Sequence, residues 1–224
     1  MKDLESRVAE LRTEEEQVEF IKNWWKENGT SLLISIGVAV AGVMGWKAWV
    51  ANQEATAANA SALYENISSA VTAPTIDDAQ RTSAYHLGEQ LKSEFDSSAY
   101  APMAAMLLAR AAVESNELDK ARAELAYVVA SDAADADLKQ LANLRLARIA
   151  LAQADYSSAE AALSAAGEGE YSSLYNELAG DLAVAQGDLD AARSAYAKAL
   201  QSATQQSRSL IQLKLDDIAA GDAS

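Results

Sequence analysis

The chain has no cysteine. That excludes a disulfide framework, a thiol nucleophile and a cysteine zinc site. It does not fix the compartment, because a bacterial periplasm permits disulfides without requiring them. Histidine is almost missing as well. His86 stands alone, with no second base, nucleophile or ligand at useful spacing, and reads as a partly exposed helix residue rather than a catalyst. No HExxH, GxSxG, P-loop or EF-hand pattern occurs. Asp132, Asp135 and Asp137 lack the glycine and bidentate glutamate that follow in a calcium loop, so they read as a solvated loop. Asp216-Asp217 reads the same way. The sequence therefore predicts no enzyme, no catalytic residue, no cofactor and no metal. Basic residues are scarce too. The net charge is −15, and residues 48–224 carry 12 Lys and Arg against 25 Asp and Glu. That balance excludes nucleic-acid binding by phosphate neutralisation and favours solubility. Proline occurs only at Pro74 and Pro102, while alanine dominates, so the chain reads as nearly all helix.

What is present begins with tryptophan. Trp24 and Trp25 precede, and Trp46 and Trp49 close, a segment from Thr30 to Trp46 with no charged residue. At 1.5 Å per residue, Trp25 to Trp46 spans roughly 31 Å. That matches a hydrocarbon core of about 30 Å with aromatic anchors at both headgroup levels. A buried core helix is the competing reading, but such helices rarely carry so long an uncharged run with aromatics at both ends. Lys2, Arg7, Arg12, Lys22 and Lys26 precede the span, and after Lys47 no Lys or Arg comes until Arg81. Positive residues stay cytoplasmic, so the N-terminus is expected inside and the C-terminal part across the membrane. A cleaved signal peptide competes, but Ala48-Trp49-Val50-Ala51 is a poor cleavage site and the 29 leading residues are long and acidic. The expected organisation is a cytoplasmic segment (1–29), a transmembrane helix (30–50) and a C-terminal domain (51–224).

Thr13 to Glu16 fits a capping box, Asn28-Gly29 reads as a helix stop, and Thr30 or Ser31 as a new cap. Residues 2–12 admit two readings, a helix lying on the membrane face or a solvated helix. Gly37, Ala41 and Gly45 recur every fourth residue, a small-residue face suited to packing against another membrane helix. Glycine is also common in membrane helices, so this spacing alone does not demand a partner. Past Trp46 no Gly or Pro intervenes through Val71, so the helix is expected to run on until Ala73-Pro74. A return helix then starts near Asp77.

The strongest organisational signal is internal repetition. Residues 146–163 align without a gap on residues 179–196 at an offset of 33, and residues 108–125 fit at an offset of 38. Equivalent positions hold Ala109, Ala147 and Gly180, then Ala121, Ala159 and Ala192, then Leu125, Leu163 and Tyr196; Ala166 matches Ala199. Small residues are expected where paired helices cross closely, and the larger Tyr196, Leu163 and Leu125 in the gap to the next unit. Glu117, Asp155 and Asp188 fall at the inter-helix turns. This is the tetratricopeptide (TPR) pattern, with a period near 34. Such units stack as a solenoid and need a cap, which Leu210, Ile211, Leu215 and Ile218 suit. A generic alanine-rich bundle is the alternative. The fold class is therefore all-α, a single N-terminal transmembrane helix followed by a TPR-like helical-hairpin solenoid.

The segment Glu16 to Gly29 (EQVEFIKNWWKENG), the exit Gly45-Trp46-Lys47-Ala48-Trp49 and the repeat segments around Asn116–Ala121, Leu144–Arg148 and Gly187–Tyr196 resemble the YfgM family of ancillary SecYEG translocon subunits. Met1 to Arg12 is longer than the family pattern. The resemblance implies a bacterial inner-membrane protein with a periplasmic TPR-like domain, a partner of the SecYEG translocon and of the membrane-anchored chaperone PpiD. It also implies help in passing emerging proteins to periplasmic chaperones and a link to the Rcs envelope-stress regulator. A non-enzymatic anchored adaptor follows, with partner contacts on the Gly37/Ala41/Gly45 face and on the later repeats and closing helix (Gly180 to Ile218). An envelope or cell-division scaffold, and a signalling regulator acting through the cytoplasmic segment, are the other classes.

Overall fold

The computed structural model describes residues 14–73 and 77–221, and every regular element among them is helical. Residues 2–12, Thr13 of the expected capping box and Pro74 lie outside the described residues. The chain divides into two compact units, Met1–Ala55 and Thr56–Ser224.

Helix α1 runs unbroken from Glu14 to Val71. The expected stop at Asn28-Gly29 is therefore corrected: the helix passes through it. Asn28 Nδ2 donates to the Trp24 carbonyl one turn back at 3.1 Å, within the helical path rather than outside it. Gly29 sits beneath the Trp25 indole, where an added Cβ would lie 3.2 Å from the ring. The glycine leaves room for that ring, at the usual cost of a mid-helix glycine, about 1 kcal/mol relative to alanine. Thr30 and Ser31 are interior helical residues rather than caps.

In the second unit the chain folds back on itself. Helix α2 (Asp78–Glu94) starts from a capping box in which Asp77 accepts from the Gln80 backbone and Gln80 returns the bond. Three helical hairpins follow: α3 (Tyr100–Glu114) with α4 (Leu118–Ala130), α5 (Ala136–Ala152) with α6 (Tyr156–Ala166), and α7 (Ser172–Gln186) with α8 (Leu189–Ser202). Helix α9 (Gln205–Gly221) closes the series.

The three hairpins share one turn. Asn116, Ala154 and Gly187 each take a left-handed backbone, with φ of 58°, 56° and 82°. The next residue's N–H then bonds back across the helix end: Glu117 to Ala112, Asp155 to Ala150 and Asp188 to Ala183, at 2.8, 2.9 and 2.9 Å. This satisfies carbonyls that the helix end leaves open. Asp155 and Asp188 also cap the second helix through Ser158 and Ala191, at 3.1 and 2.9 Å. One residue thus ends one helix and starts the next, which fixes the hairpin angle. The extra length of the first unit, expected in the Asp132–Asp137 loop, lies mostly in its helices: α4 and α5 have 13 and 17 residues where α6 and α7 have 11 and 15, and the loops 131–135 and 167–171 are equally long. Asp135 caps α5 through Leu138 at 2.7 Å.

The core is a chain of overlapping clusters rather than one centre. Ile67, Leu91 and Leu108 anchor the first, Leu125 and Val128 the second, Leu144, Leu163 and Leu178 the third, and Tyr196, Ile211 and Ile218 the last. Each hairpin buries its apolar face only against its neighbours, which is the energetic logic of a solenoid. Two lysines staple the series through three ion pairs. Lys92 of α2 reaches Glu124 of α4 at 2.9 Å, and Lys214 of α9 reaches Glu177 and Asp181 of α7 at 2.7 Å each.

Candidate partner-binding surfaces

In the first unit the apolar stretch of α1 is bare. Its most apolar 18-residue window has a mean hydropathy of 1.7 and only 6% of it is buried. A core helix of a soluble fold would be mostly covered. Trp24, Trp25, Trp46 and Trp49 are all exposed, and the Trp46 and Trp49 rings meet with centroids 5.1 Å apart. Gly37, Ala41 and Gly45 lie along one exposed line of the helix. A Cβ added at Gly37 or Gly45 would meet nothing within 4 Å, so the space beside them is open.

The repeat-signature residues behave differently. Ala109, Ala121, Ala147, Ala159, Ala192, Tyr196 and Ala199 are at most 3% exposed, and Gly180 is buried with them. They hold helices together, and Ala109 also floors the cavity described below. A Cβ at Gly180 would come 2.4 Å from the Tyr196 ring, so the glycine is where that ring lies. The ring packs within its own hairpin as well as toward α9, where the sequence suggested only the gap to the next unit. Its hydroxyl donates to Asp181 at 2.7 Å, and burial, reinforced by Asp181 and Glu177, pushes its ionisation above the usual tyrosine range. On the closing helix Ile211 and Ile218 are buried as expected for a cap. Leu210 is 53% exposed, because it faces the groove side of α9 rather than the core.

A groove open to a partner runs along α3, α5, α7 and α9. Its first cavity, about 310 Å³, has a buried floor of Ala109, Leu125 and Ile149 and an exposed wall at Val113. Arg110, Arg145 and Arg148 also line it. Arg110 pairs with Glu114 at 2.7 Å, with both side chains about half exposed. Arg145 is half-buried and donates to the Met106 carbonyl at 3.4 Å. Its pKa is lowered first by burial and then by Arg110 and Arg148. Among the described residues neither Arg145 nor Arg148 forms an ion pair.

The neighbouring cavity, about 440 Å³, shares Arg148 and adds Glu177, Asp181, Leu210 and Lys214. There the carboxylates are already engaged by Lys214. The arginines were missed in the sequence, although a signal was there. Arg110, Arg148 and Asp181 are separated by the same offsets, 38 and 33, as the repeats. They are one repeat position, read three times along the groove. His86, by contrast, is exposed on α2.

Comparison with known proteins supplies the family. The profile of the tetratricopeptide repeat-like domain matches residues 22–220. The chain is similar to the ancillary SecYEG translocon subunit of Escherichia coli K12, 32% identical over 210 residues, covering 92% of this chain and 96% of that protein. The proteins of that name from Haemophilus influenzae and Neisseria gonorrhoeae are 28% and 27% identical, again over 92% of this chain and 97% of theirs. No solved structure matches. On that near full-length similarity the chain belongs to the family of ancillary SecYEG translocon subunits and carries its tetratricopeptide repeat-like domain.

Proposed function

We propose that this chain is a membrane-anchored, non-enzymatic adaptor that associates with the SecYEG translocon and hands translocated proteins to periplasmic chaperones of the PpiD kind. The observation that carries the reading is the pairing of a bare apolar helix with a hairpin-repeat groove in one chain whose relatives bear the translocon-subunit name. Residues 1–29 lie in the cytoplasm, 30–50 in the inner membrane and 51–224 in the periplasm, an assignment supported by the lysines and arginines that precede the span. Anchoring raises the local concentration of the groove beside the translocon exit, so even weak contacts count.

Two contacts are proposed. The Gly37/Ala41/Gly45 face packs against a translocon or chaperone membrane helix, where small residues allow close approach. The repeat domain supplies the other, through its groove and through the exposed Leu210 and Leu213 of the closing helix. Co-purification from mild detergent tests this. Gly37→Leu with Gly45→Leu keeps the span apolar, so insertion survives while recovery of SecYEG falls. Unchanged recovery removes the membrane face from the account. Unchanged recovery after deleting the repeat domain removes the adaptor reading. Deleting residues 1–20 leaves recovery intact, and a loss there points to a cytoplasmic, Rcs-type regulatory role instead. Protease added to spheroplasts removes a C-terminal tag and spares an N-terminal one; equal protection of both overturns the topology.

A further inference from the structure

The groove's charge does not match the rest of its domain. Residues 48–224 hold 25 acidic and 12 basic side chains, yet three of those 12, Arg110, Arg145 and Arg148, converge on one cavity. They come from two different helices, α3 and α5, that only the stacking of hairpins brings together. Among the described residues Glu114 is the one carboxylate lining that cavity, and Arg110 already engages it. Like charges brought together without enough counter-charge are unfavourable, and among the described residues Arg145 and Arg148 have no ion-pair partner. At the equivalent place one repeat later, where Arg148 gives way to Asp181, the fold supplies its own counter-charge in Lys214. The arginine pair is thus left open while the carboxylate pair is closed.

Beside these charges the cavity is apolar. Val113 is 46% exposed on its wall, and Leu118 and Ile149 continue the surface inward. A volume of about 310 Å³ is at the lower end of small-molecule pockets, about 300–1,000 Å³, and suits a side chain or two of a bound peptide. Arginine offers several donors in a planar fork suited to carboxylates, and its weaker hydration than an ammonium lowers the cost of taking it out of water.

We propose that the cavity between α3 and α5 is the docking site for an acidic peptide segment bearing apolar side chains, whose carboxylates pair with Arg110, Arg145 and Arg148 while an apolar side chain enters beside Val113. The proposal deepens the adaptor reading, on which it rests for its biological setting, by naming the chemistry of the segment the groove accepts. An acidic segment has an electrostatic reason to choose this place, since the remainder of the domain repels it.

The test uses the full chain in nanodiscs of neutral lipid and a fluorescent peptide with two leucines flanked by glutamates. The charge-reversed peptide, with lysines for glutamates, and one with serines for leucines serve as comparisons. The glutamate peptide should bind best, and binding should weaken as salt rises. Arg148→Glu should lower its affinity about tenfold, the size expected for losing one charge-assisted pair. Arg110→Glu with Arg148→Glu should lower it further and shift preference toward the lysine peptide. Both positions are exposed, so the helical spectrum and melting curve should be unchanged, and Val113→Ser should weaken binding with all charges kept.

Equal binding of the glutamate and lysine peptides overturns the proposal. So does unchanged binding by the double variant, or an arginine dependence seen only with anionic vesicles or only in self-association of the chain. Loss of peptide selectivity with SecYEG recovery intact fails the groove assignment alone. Peptide selectivity with no SecYEG recovery supports the groove and overturns the adaptor reading.

Discussion

Gly180→Ala tests the packing of the last hairpin. The new methyl carbon would stand 2.4 Å from Cε1 and 2.5 Å from Cδ1 of Tyr196. The ring has nowhere to go. It is 3% exposed, and its hydroxyl is held at 2.7 Å by Asp181, itself fixed by Lys214 at 2.7 and 2.8 Å. Overpacking of this kind costs about 1–3 kcal/mol. If the ring swings away instead, the hydroxyl loses a bond to a carboxylate, worth about 1.5–3 kcal/mol. Alanine recovers about 1 kcal/mol of helix propensity over glycine. Contacts of 2.4 and 2.5 Å put the cost in the upper half of these ranges, so the net loss is about 1–2 kcal/mol, or roughly 2–8 °C in a domain of this size. A thermal melt of the detergent-solubilised chain, followed by helical circular dichroism, reads it. Tyr196→Leu in the same chain should restore much of the loss, because it recreates the Ala147/Leu163 combination of the preceding hairpin, with a coupling of about 0.5–3 kcal/mol. A silent Gly180→Ala, or two substitutions that simply add, would refute the reasoning. Gly37→Ala, where no atom lies within 4 Å, should not lower the melting temperature.

Three further outcomes follow from the same geometry. Ala154→Gly should stabilise by about 0.5–1 kcal/mol in denaturant titration, because Ala154 holds a φ of 56° that disfavours a Cβ. Gly187→Ala, at a φ of 82° in the equivalent turn, should cost about 1 kcal/mol or more. Burial, helped by Glu117 and Glu124, raises the Tyr85 pKa from 10.0 to about 12. A raised folded-state value means that this contribution is complete below pH 10 and is lost as pH climbs through 12, so alkaline unfolding should release a tyrosine proton and Tyr85→Phe should blunt it.

The sequence carried the repeats because packing imposes them locally. Asn116, Ala154 and Gly187 occupy one turn position, and only the last announces itself by being glycine. Gly180 and Tyr196 exchange bulk where the earlier hairpins pair alanine with leucine, which the gap-free alignment exposes. The misread element was Asn28-Gly29. Both residues favour helix ends, but the Trp25 indole four residues back shields Gly29, and a side chain's reach over the following turn is not visible in a propensity. Of the four apolar residues that suit the closing helix, Leu210 is not part of the buried cap, because the rotation of α9 that buries Ile211 turns Leu210 outward. The arginine cluster was hidden for another reason. Arg145 and Arg148 lie on α5 and Arg110 on α3, and residues 38 apart become neighbours only when hairpins stack.

Site-specific photo-crosslinking in intact cells tests the central claim of an anchored groove at the translocon. A photoreactive residue at Val113, in the groove, should crosslink to translocon subunits, PpiD-like chaperones or chains in transit. The same residue at Glu160, exposed on α6, should not. The groove crosslinks should fade when export is blocked and when the Gly37/Gly45 face is replaced by leucines. Equal labelling from both positions, or groove crosslinks that ignore both export and the membrane face, would contradict the account.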